Sequence, residues 1–446
     1  MWWVLCLRQK RLLIVIFTVL ILSQTPYSLA ENPSTIISYE GTKAWEMPQQ
    51  LFPSNSLLFV KNPQILSNEQ GKQVALWIAY NETYSEIHCQ TFTGESWLLN
   101  NTIFIISGNY TQISTFKAVL DSENKLHVVW KDAGVHYRSL WNNVLSLVID
   151  LQDMYPTFDL ALLSSNRLAL VGQEENNLVY LIFDGNSWSE STTIINFDDL
   201  EVPYYIHTLD LAAGTNDNLF VCCTGSKYDP IEERSVEILL CLFYDGTTWQ
   251  RTSEPSVEKP YIGKVTFDET GKVHLFYTSF NSGNVLWHQV WLNKWSKVEK
   301  AVEFPQDNTE RHWSSIINHD VAISGSDIFI AMAATEWTTI GFNLDLLIAH
   351  YRNGWQWEPI FDDDDSYIYE TSIAINKNGD VFLLAIENFT PNNFTCADLI
   401  FLYGEKLFNY KSSHSIGFNL PTTILLSSVT VAMFVLIRRR KNRQNL

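Results

Sequence analysis

The 446-residue sequence predicts an all-β fold, a β-propeller of seven four-stranded blades, followed by a C-terminal transmembrane helix. Three observations carry that expectation. A short apolar run of strand-forming residues recurs seven times along the chain, turn residues bound each copy, and a Gly-x-x-Trp step follows several of them.

At the N-terminus, Arg8, Lys10 and Arg11 precede an apolar stretch from Leu12 to Leu22, and Ser28 and Ala30 form a small-x-small step. This order predicts a secretory signal peptide over 1–30, since the apolar stretch is about half of the roughly 20 residues that span a bilayer. Segment 31–62 follows, and "SLLFVKNP" near Leu57 offers a strand that closes the ring. The propeller ectodomain is expected over 63–410 and a short linker over 411–415. Residues 416–437 then form an apolar run long enough to cross a membrane. Arg438, Arg439, Arg440, Lys441 and Arg443 come directly after it, so 438–446 is expected to be a basic cytoplasmic tail and the chain a single-pass protein of the cell membrane.

The recurring run reads "QVALWIAY" from Gln73, "LHVVW" from Leu126, "LALVG" from Leu168, "LFVCC" from Leu219, "VHLFY" from Val273, "IFIAM" from Ile328 and "VFLLA" from Val381. Short strands ending in turns such as "VLDSENK" and "VTFDETGK" precede the copies, so each pair reads as a hairpin. A third strand and a second turn follow, and the turn leads to an aromatic residue: Gly94 to Trp97, Gly185 to Trp188, Gly246 to Trp249 and Gly354 to Trp357. Glycine supplies the positive φ of such a turn, and the indole beyond it packs on the neighbouring sheet. Six or eight blades are the alternative counts.

The formal charge of −19 conceals an asymmetry: all 49 acidic residues but only 22 of the 30 cations lie between the signal and the tail. An ectodomain this acidic repels phosphate backbones, which excludes nucleic acid as a partner. Sequons at Asn81, Asn100, Asn109, Asn388 and Asn393 suit an exported glycoprotein. Five cysteines remain after the signal, too few for a disulfide scaffold. Cys89 and Cys396 fall in the first and last repeats, which a ring makes neighbours, so a closing disulfide between them is expected.

Asp184, Gly185 and Trp188, like Asp245, Gly246 and Trp249, resemble the turn of the sialidase-like, Asp-box (BNR-like) propellers, without the Ser or Thr before the Asp and the residue between Asp and Gly that the full box carries. The resemblance implies a propeller of that superfamily. Sialidase chemistry would also need three clustered arginines, a Tyr-Glu pair and an acid. The six ectodomain arginines, Arg138, Arg167, Arg234, Arg251, Arg311 and Arg352, do not follow such a motif.

The loops between second and third strands, and those leading to the next blade, fall on one side of the disc and are the longest here. Long loops on a rigid scaffold are where binding residues concentrate. Tyr204, Tyr205, Tyr228, Tyr261, Arg311, Trp313, Trp337 and Tyr367 are the candidate ligand-binding residues. Aromatic faces beside carboxylates suit a carbohydrate, and they suit a protein ligand equally. Asp362, Asp363, Asp364 and Asp365 are the candidate calcium ligands, against a solvated acidic loop; otherwise no cofactor is expected. The expectation is therefore a surface protein that binds carbohydrate or protein outside the cell without catalysis. An extracellular glycoside hydrolase or lyase and a structural surface-layer component are the alternatives.

Overall fold

The computed structural model describes residues 49–404, apart from 53–58, 82–83, 95, 99–101, 107–112, 143, 147, 152–153, 155–156, 201–203, 230–233, 254, 256–259, 280–281, 305–311, 339–340, 353, 362–366 and 389–396. The expected signal, transmembrane segment and tail, together with Arg311, Asp362 to Asp365, Cys396, Asn100, Asn109 and Asn393, lie outside the described residues. Among the described residues, no helix is long and apolar enough to cross a membrane.

Strand β1 (Gln49–Phe52) is followed by a first sheet of β2 (Phe59–Ser67), β3 (Gln73–Tyr80), β4 (Ser85–Phe92), β5 (Trp97–Leu98) and β6 (Thr102–Ile106). The second comprises β7 (Thr115–Leu120), β8 (Leu126–Lys131), β9 (Val135–Trp141), β10 (Val144–Leu145) and β11 (Ile149–Asp150). The third is β12 (Phe158–Leu162), β13 (Leu168–Glu174), β14 (Asn177–Phe183) and β15 (Thr192–Asn196). The fourth is β16 (Tyr204–Ala213), β17 (Leu219–Asp229), β18 (Arg234–Tyr244) and β19 (Trp249–Arg251). The fifth is β20 (Pro260–Phe267), β21 (Val273–Ser279), β22 (Val285–Trp291) and β23 (Glu299–Glu303). The sixth holds eight strands: β24 (His312–Ser324), β25 (Asp327–Thr338), β26 (Gly341–Tyr351), β27 (Trp355–Phe361), β28 (Tyr367–Ile375), β29 (Val381–Asn388), β30 (Ala397–Gly404) and β1.

The fold is an all-β propeller, with one correction to the expected count of separate blades. The described strands form six hydrogen-bonded sheets and not seven. The meander β24–β27 and the meander β28–β30 with β1 share a sheet through a parallel pairing of Leu344 with Tyr367. Strand β1 pairs antiparallel with β30, so a segment from the start of the described chain completes the last meander.

The recurring runs are the second strands of the meanders. Their residues are buried on both faces, as in Val74–Ala79 and Val273–Ser279, because each sheet is sandwiched between two others. Alternate side chains therefore enter different cores. Ala75, Trp77 and Ala79 pack against Phe382, Leu384 and Phe401 of the last meander, whereas Val74, Leu76 and Ile78 face Phe116, Ala118 and Val128 of the second sheet.

The tryptophans pack as the turn pattern predicts. Gly94, Gly185 and Gly246 have φ of 98°, 105° and 96°, the left-handed region that glycine enters without steric cost. Beyond them, Trp97 stands edge-on to Phe401 at 4.8 Å, Trp188 to Tyr137 at 5.3 Å and Trp249 to Tyr180 at 5.6 Å, each across a sheet boundary. His127 and His274, at matching places in β8 and β21, also serve packing: each is buried and pairs through Nε2 with the aspartate of the preceding turn, Asp121 or Asp268.

Of the expected Cys89–Cys396 closure only Cys89 is described, since Cys396 lies outside the described residues. Cys89 is a buried free thiol, and burial pushes its pKa up to about 12. The pleat turns it toward the second sheet, alongside Ile87, Ile113 and Phe116, and away from the last meander.

Candidate functional site: the central channel and the tall sheets beside it

The innermost strand of every meander, β2, β7, β12, β16, β20, β24 and β28, lines a central cavity of about 490 Å³. An innermost strand has one edge without a strand partner, so its N–H groups need acceptors from elsewhere. A belt of side chains supplies them. Ala118 N donates to Gln64 Oε1 (2.9 Å), Leu211 N to Asp159 Oδ2 (2.8 Å) and Val265 N to Asp210 Oδ2 (2.7 Å). Ile373 N donates to Asp320 Oδ2 (3.0 Å) and Ile65 N to Ser372 Oγ (3.1 Å). Two lysines fill the remaining positions: Lys117 Nζ lies 3.0 Å from Asp159 Oδ1, and Lys264 Nζ lies 2.9 Å from Asp210 Oδ1 and 3.8 Å from Asp320 Oδ1.

Gln64, Lys117, Asp159, Asp210, Lys264, Asp320 and Ser372 thus occupy one level of the ring. Six of the seven stand opposite the residue twelve further along, as Lys117 does with Val129 and Lys264 with Phe276; Asp320 stands opposite Ala331, because its hairpin turn is one residue shorter.

Electrostatics follow from this crowding. Burial works against the charge of Asp210, yet Lys264, Lys117 and the Val265 N–H hold its pKa below the ordinary value. Burial also works against the Lys264 ammonium, and Asp210, Asp320 and Asp159 overcome it and raise its pKa. For Asp159 burial prevails over Lys117, and its pKa is raised. Beside Lys264, burial and that cation push the pKa of His319 down to about 3, so its imidazole is neutral. Nearer the strand starts, Glu370 accepts from Asn62 N, and burial raises its pKa against that bond and Lys61.

Strand direction decides where the aromatic candidates lie. All inner strands run the same way through the disc, so their first residues reach one side of it. Strand β24 begins eight residues before the belt residue Asp320 and β16 six before Asp210, whereas β7 begins two before Lys117 and β12 one before Asp159. At about 3.3 Å per residue, the fourth sheet and the β24–β26 hairpins rise roughly 15–20 Å further on this side than the second and third sheets. Tyr204, Tyr205 and Tyr228 lie on the strands of the first rise, Trp313 and Trp337 on those of the second, and Tyr261 on β20 between them.

Among those whose side chains are described, Trp337 is 47% exposed and Tyr261 44%. The Trp337 indole donates to Ser314 Oγ (2.8 Å), and the Tyr261 carbonyl accepts from Thr224 Oγ1 (3.1 Å), tying the fifth sheet to the fourth. Trp313 is committed to packing: it meets Trp357 edge-on at 5.4 Å and donates to Asp345 Oδ2 at 2.9 Å. Tyr367 is buried in the last sheet, and neither residue is a free platform for a ligand. Of the arginines, Arg138 donates to Ser146 O (2.7 Å) and Arg167 pairs with Asp217, both on strands or turns.

No protein-family model matches the sequence, and no curated protein matches it. Solved structures do. A polysaccharide lyase, the PL25 ulvan lyase, superposes with a TM-score of 0.52 at 12% identity over 80% of this chain and 96% of the lyase. AofleA from Arthrobotrys oligospora gives 0.44 at 13% identity, covering 74% of this chain and 94% of AofleA. The leech intramolecular trans-sialidase gives 0.43 at 11% identity, covering 80% of this chain and 70% of the enzyme. The likeness to the lyase is one of fold, and it agrees with the propeller that the strand pairing builds.

Proposed function

We propose that this chain is an exported, single-pass surface protein whose propeller binds an extracellular carbohydrate between the tall fourth sheet and the β24–β26 hairpins, without catalysis. The observation that carries the reading is the pair of exposed aromatic side chains, Tyr261 and Trp337, on neighbouring sheets on the raised side. An exposed indole or phenol face offers the flat apolar surface on which sugar C–H groups stack, and the hydroxyls then meet the polar groups around it. The channel acids do not act as a free catalytic pair in this reading. Asp159, Asp210 and Asp320 each accept a main-chain N–H and lie beside a lysine, so they hold the ring together. The propeller fold shared with a lyase supports the architecture and leaves the chemistry to the site.

A glycan array probed with the detergent-solubilised full chain tests the reading, with each retained glycan checked for cleavage by mass spectrometry. Retention without cleavage is expected. Trp337→Ala and Tyr261→Ala should each weaken it about tenfold, the effect of losing roughly 1.4 kcal/mol of stacking, without lowering Tm. Cleavage of a retained glycan would refute the non-catalytic reading, and an array with no retained glycan would refute the carbohydrate in favour of a protein ligand.

A further inference from the structure

Four described cysteines are free and buried, and two of them face each other. Cys222 on β17 stands directly opposite Cys241 on β18, and the two side chains enter the same core between the fourth and fifth sheets, with Val265, Leu275 and Tyr277. Cys223 points the other way, into the core shared with the third sheet, so it does not compete. Cross-strand neighbours have Cβ atoms about 4.5–5.5 Å apart, and a disulfide needs roughly 3.5–4.5 Å, so a small approach of two already paired strands closes the gap.

The fifth sheet leaves room for this sulfur. Gly263 of β20 lies where a Cβ would stand 2.9 Å from Cys222 Sγ, and any larger residue would drive into it. Burial is 1% exposed for Cys222 and 3% for Cys241, so neither thiol meets an oxidant once β20 has docked.

We propose that Cys222 and Cys241 are joined as a cross-strand disulfide while the chain folds in an oxidising compartment. The oxidant is a small-molecule or protein disulfide. Its thiolate exchange with one cysteine gives a mixed disulfide, which the second cysteine resolves; the two electrons and two protons leave on the oxidant as two thiols. The bond links strands that are already in register, before the fifth sheet covers them. Only the choice of compartment rests on the exported reading above.

The full chain is refolded in detergent with a mixture of reduced and oxidised glutathione, denatured, alkylated and digested without reduction. Lys227 and Arg234 separate the two cysteines, so trypsin leaves them on different peptides. The expected result is one linked species, two hydrogens lighter than the sum of the peptides, which persists in Cys223→Ala and vanishes in Cys222→Ala. Independent alkylation of Cys222 and Cys241 in the refolded chain overturns the proposal. Export is scored apart from this, by a glycan on Asn81 in the chain made through a secretory route: linkage on refolding without that glycan supports the disulfide and counts against export alone.

Discussion

Replacing Lys264 by Met tests whether the belt, and not the surrounding cores, holds the inner strands in place. The ammonium lies 2.9 Å from Asp210 and 3.8 Å from Asp320, with its own side chain 26% exposed and that of Asp210 11%. Removing one partner of a buried pair leaves the other charge uncompensated, at about 3–5 kcal/mol; the partial exposure of Lys264 places the expected cost near the lower end, about 3 kcal/mol. An unfolding entropy of about 2.1 cal/mol/K per residue over roughly 350 residues makes this a fall in Tm of about 4 °C. Asp210→Asn keeps an oxygen for the Val265 N–H and removes the charge. The double substitution should therefore cost about 2 kcal/mol less than the sum of the single ones. Calorimetry on the four proteins in one detergent reads both quantities. An unchanged Tm for Lys264→Met, or strict additivity in the double variant, would refute the argument.

The other expectations rest on single contacts. His319 carries a pKa of about 3, His288 of about 4, and burial also lowers His127 and His274 below the ordinary histidine value. A base whose folded pKa lies below its unfolded one contributes stability in full above the unfolded value, near 6.5, and loses it as the pH falls, since the unfolded chain then binds the proton. Tm should fall from pH 6.5 to pH 5, and His319→Gln should flatten that fall by up to about 2 kcal/mol; a parallel pH profile would contradict it. Gly263→Ala should cost about 1–3 kcal/mol in thermal unfolding by crowding Cys222 Sγ, and Cys222→Ala should recover most of it; a cost that persists in the double variant places the strain elsewhere.

The second strands were legible because a sheet covered on both faces turns them into unbroken apolar runs, which periodicity finds without a structure. The glycine turns were legible for a related reason, since a positive φ restricts the residue type and the following indole marks the same spot in each sheet. The belt was harder to see: glutamine, lysine, aspartate and serine share no chemistry that a residue pattern would group. What they share is distance. Counted back from the first residue of the recurring runs at Gln73, Leu126, Leu168, Leu219, Val273 and Val381, the belt residue lies nine positions upstream each time, and Asp320 lies eight before Ile328. Aligning the runs and reading that column would have exposed a polar ring in strands otherwise apolar toward the cores.

The raised side has its own signal, one of strand length. The strands of the fourth sheet that reach it, β16, β17 and β18, run to 10, 11 and 11 residues, and β24, β25 and β26 to 13, 12 and 11, against 5, 7 and 7 for β12, β13 and β14. Strands run through the thickness of the disc, where a typical strand has about five or six residues, so the surplus projects beyond the disc. Polar loops such as "TGSKYDP" conceal that surplus, because tyrosine, serine and lysine read as turn composition while the backbone continues its ladder from Thr224 to Asp229 opposite Leu239 to Arg234. Tyr261 lies on β20 and accepts a bond from the fourth sheet, and Trp337 lies near the end of β25 in the other long meander. The proposed ligand surface therefore rests on excess strand length as much as on aromatic composition, and shortening the Thr335–Leu344 hairpin should abolish retention while leaving the belt, and with it Tm, in place.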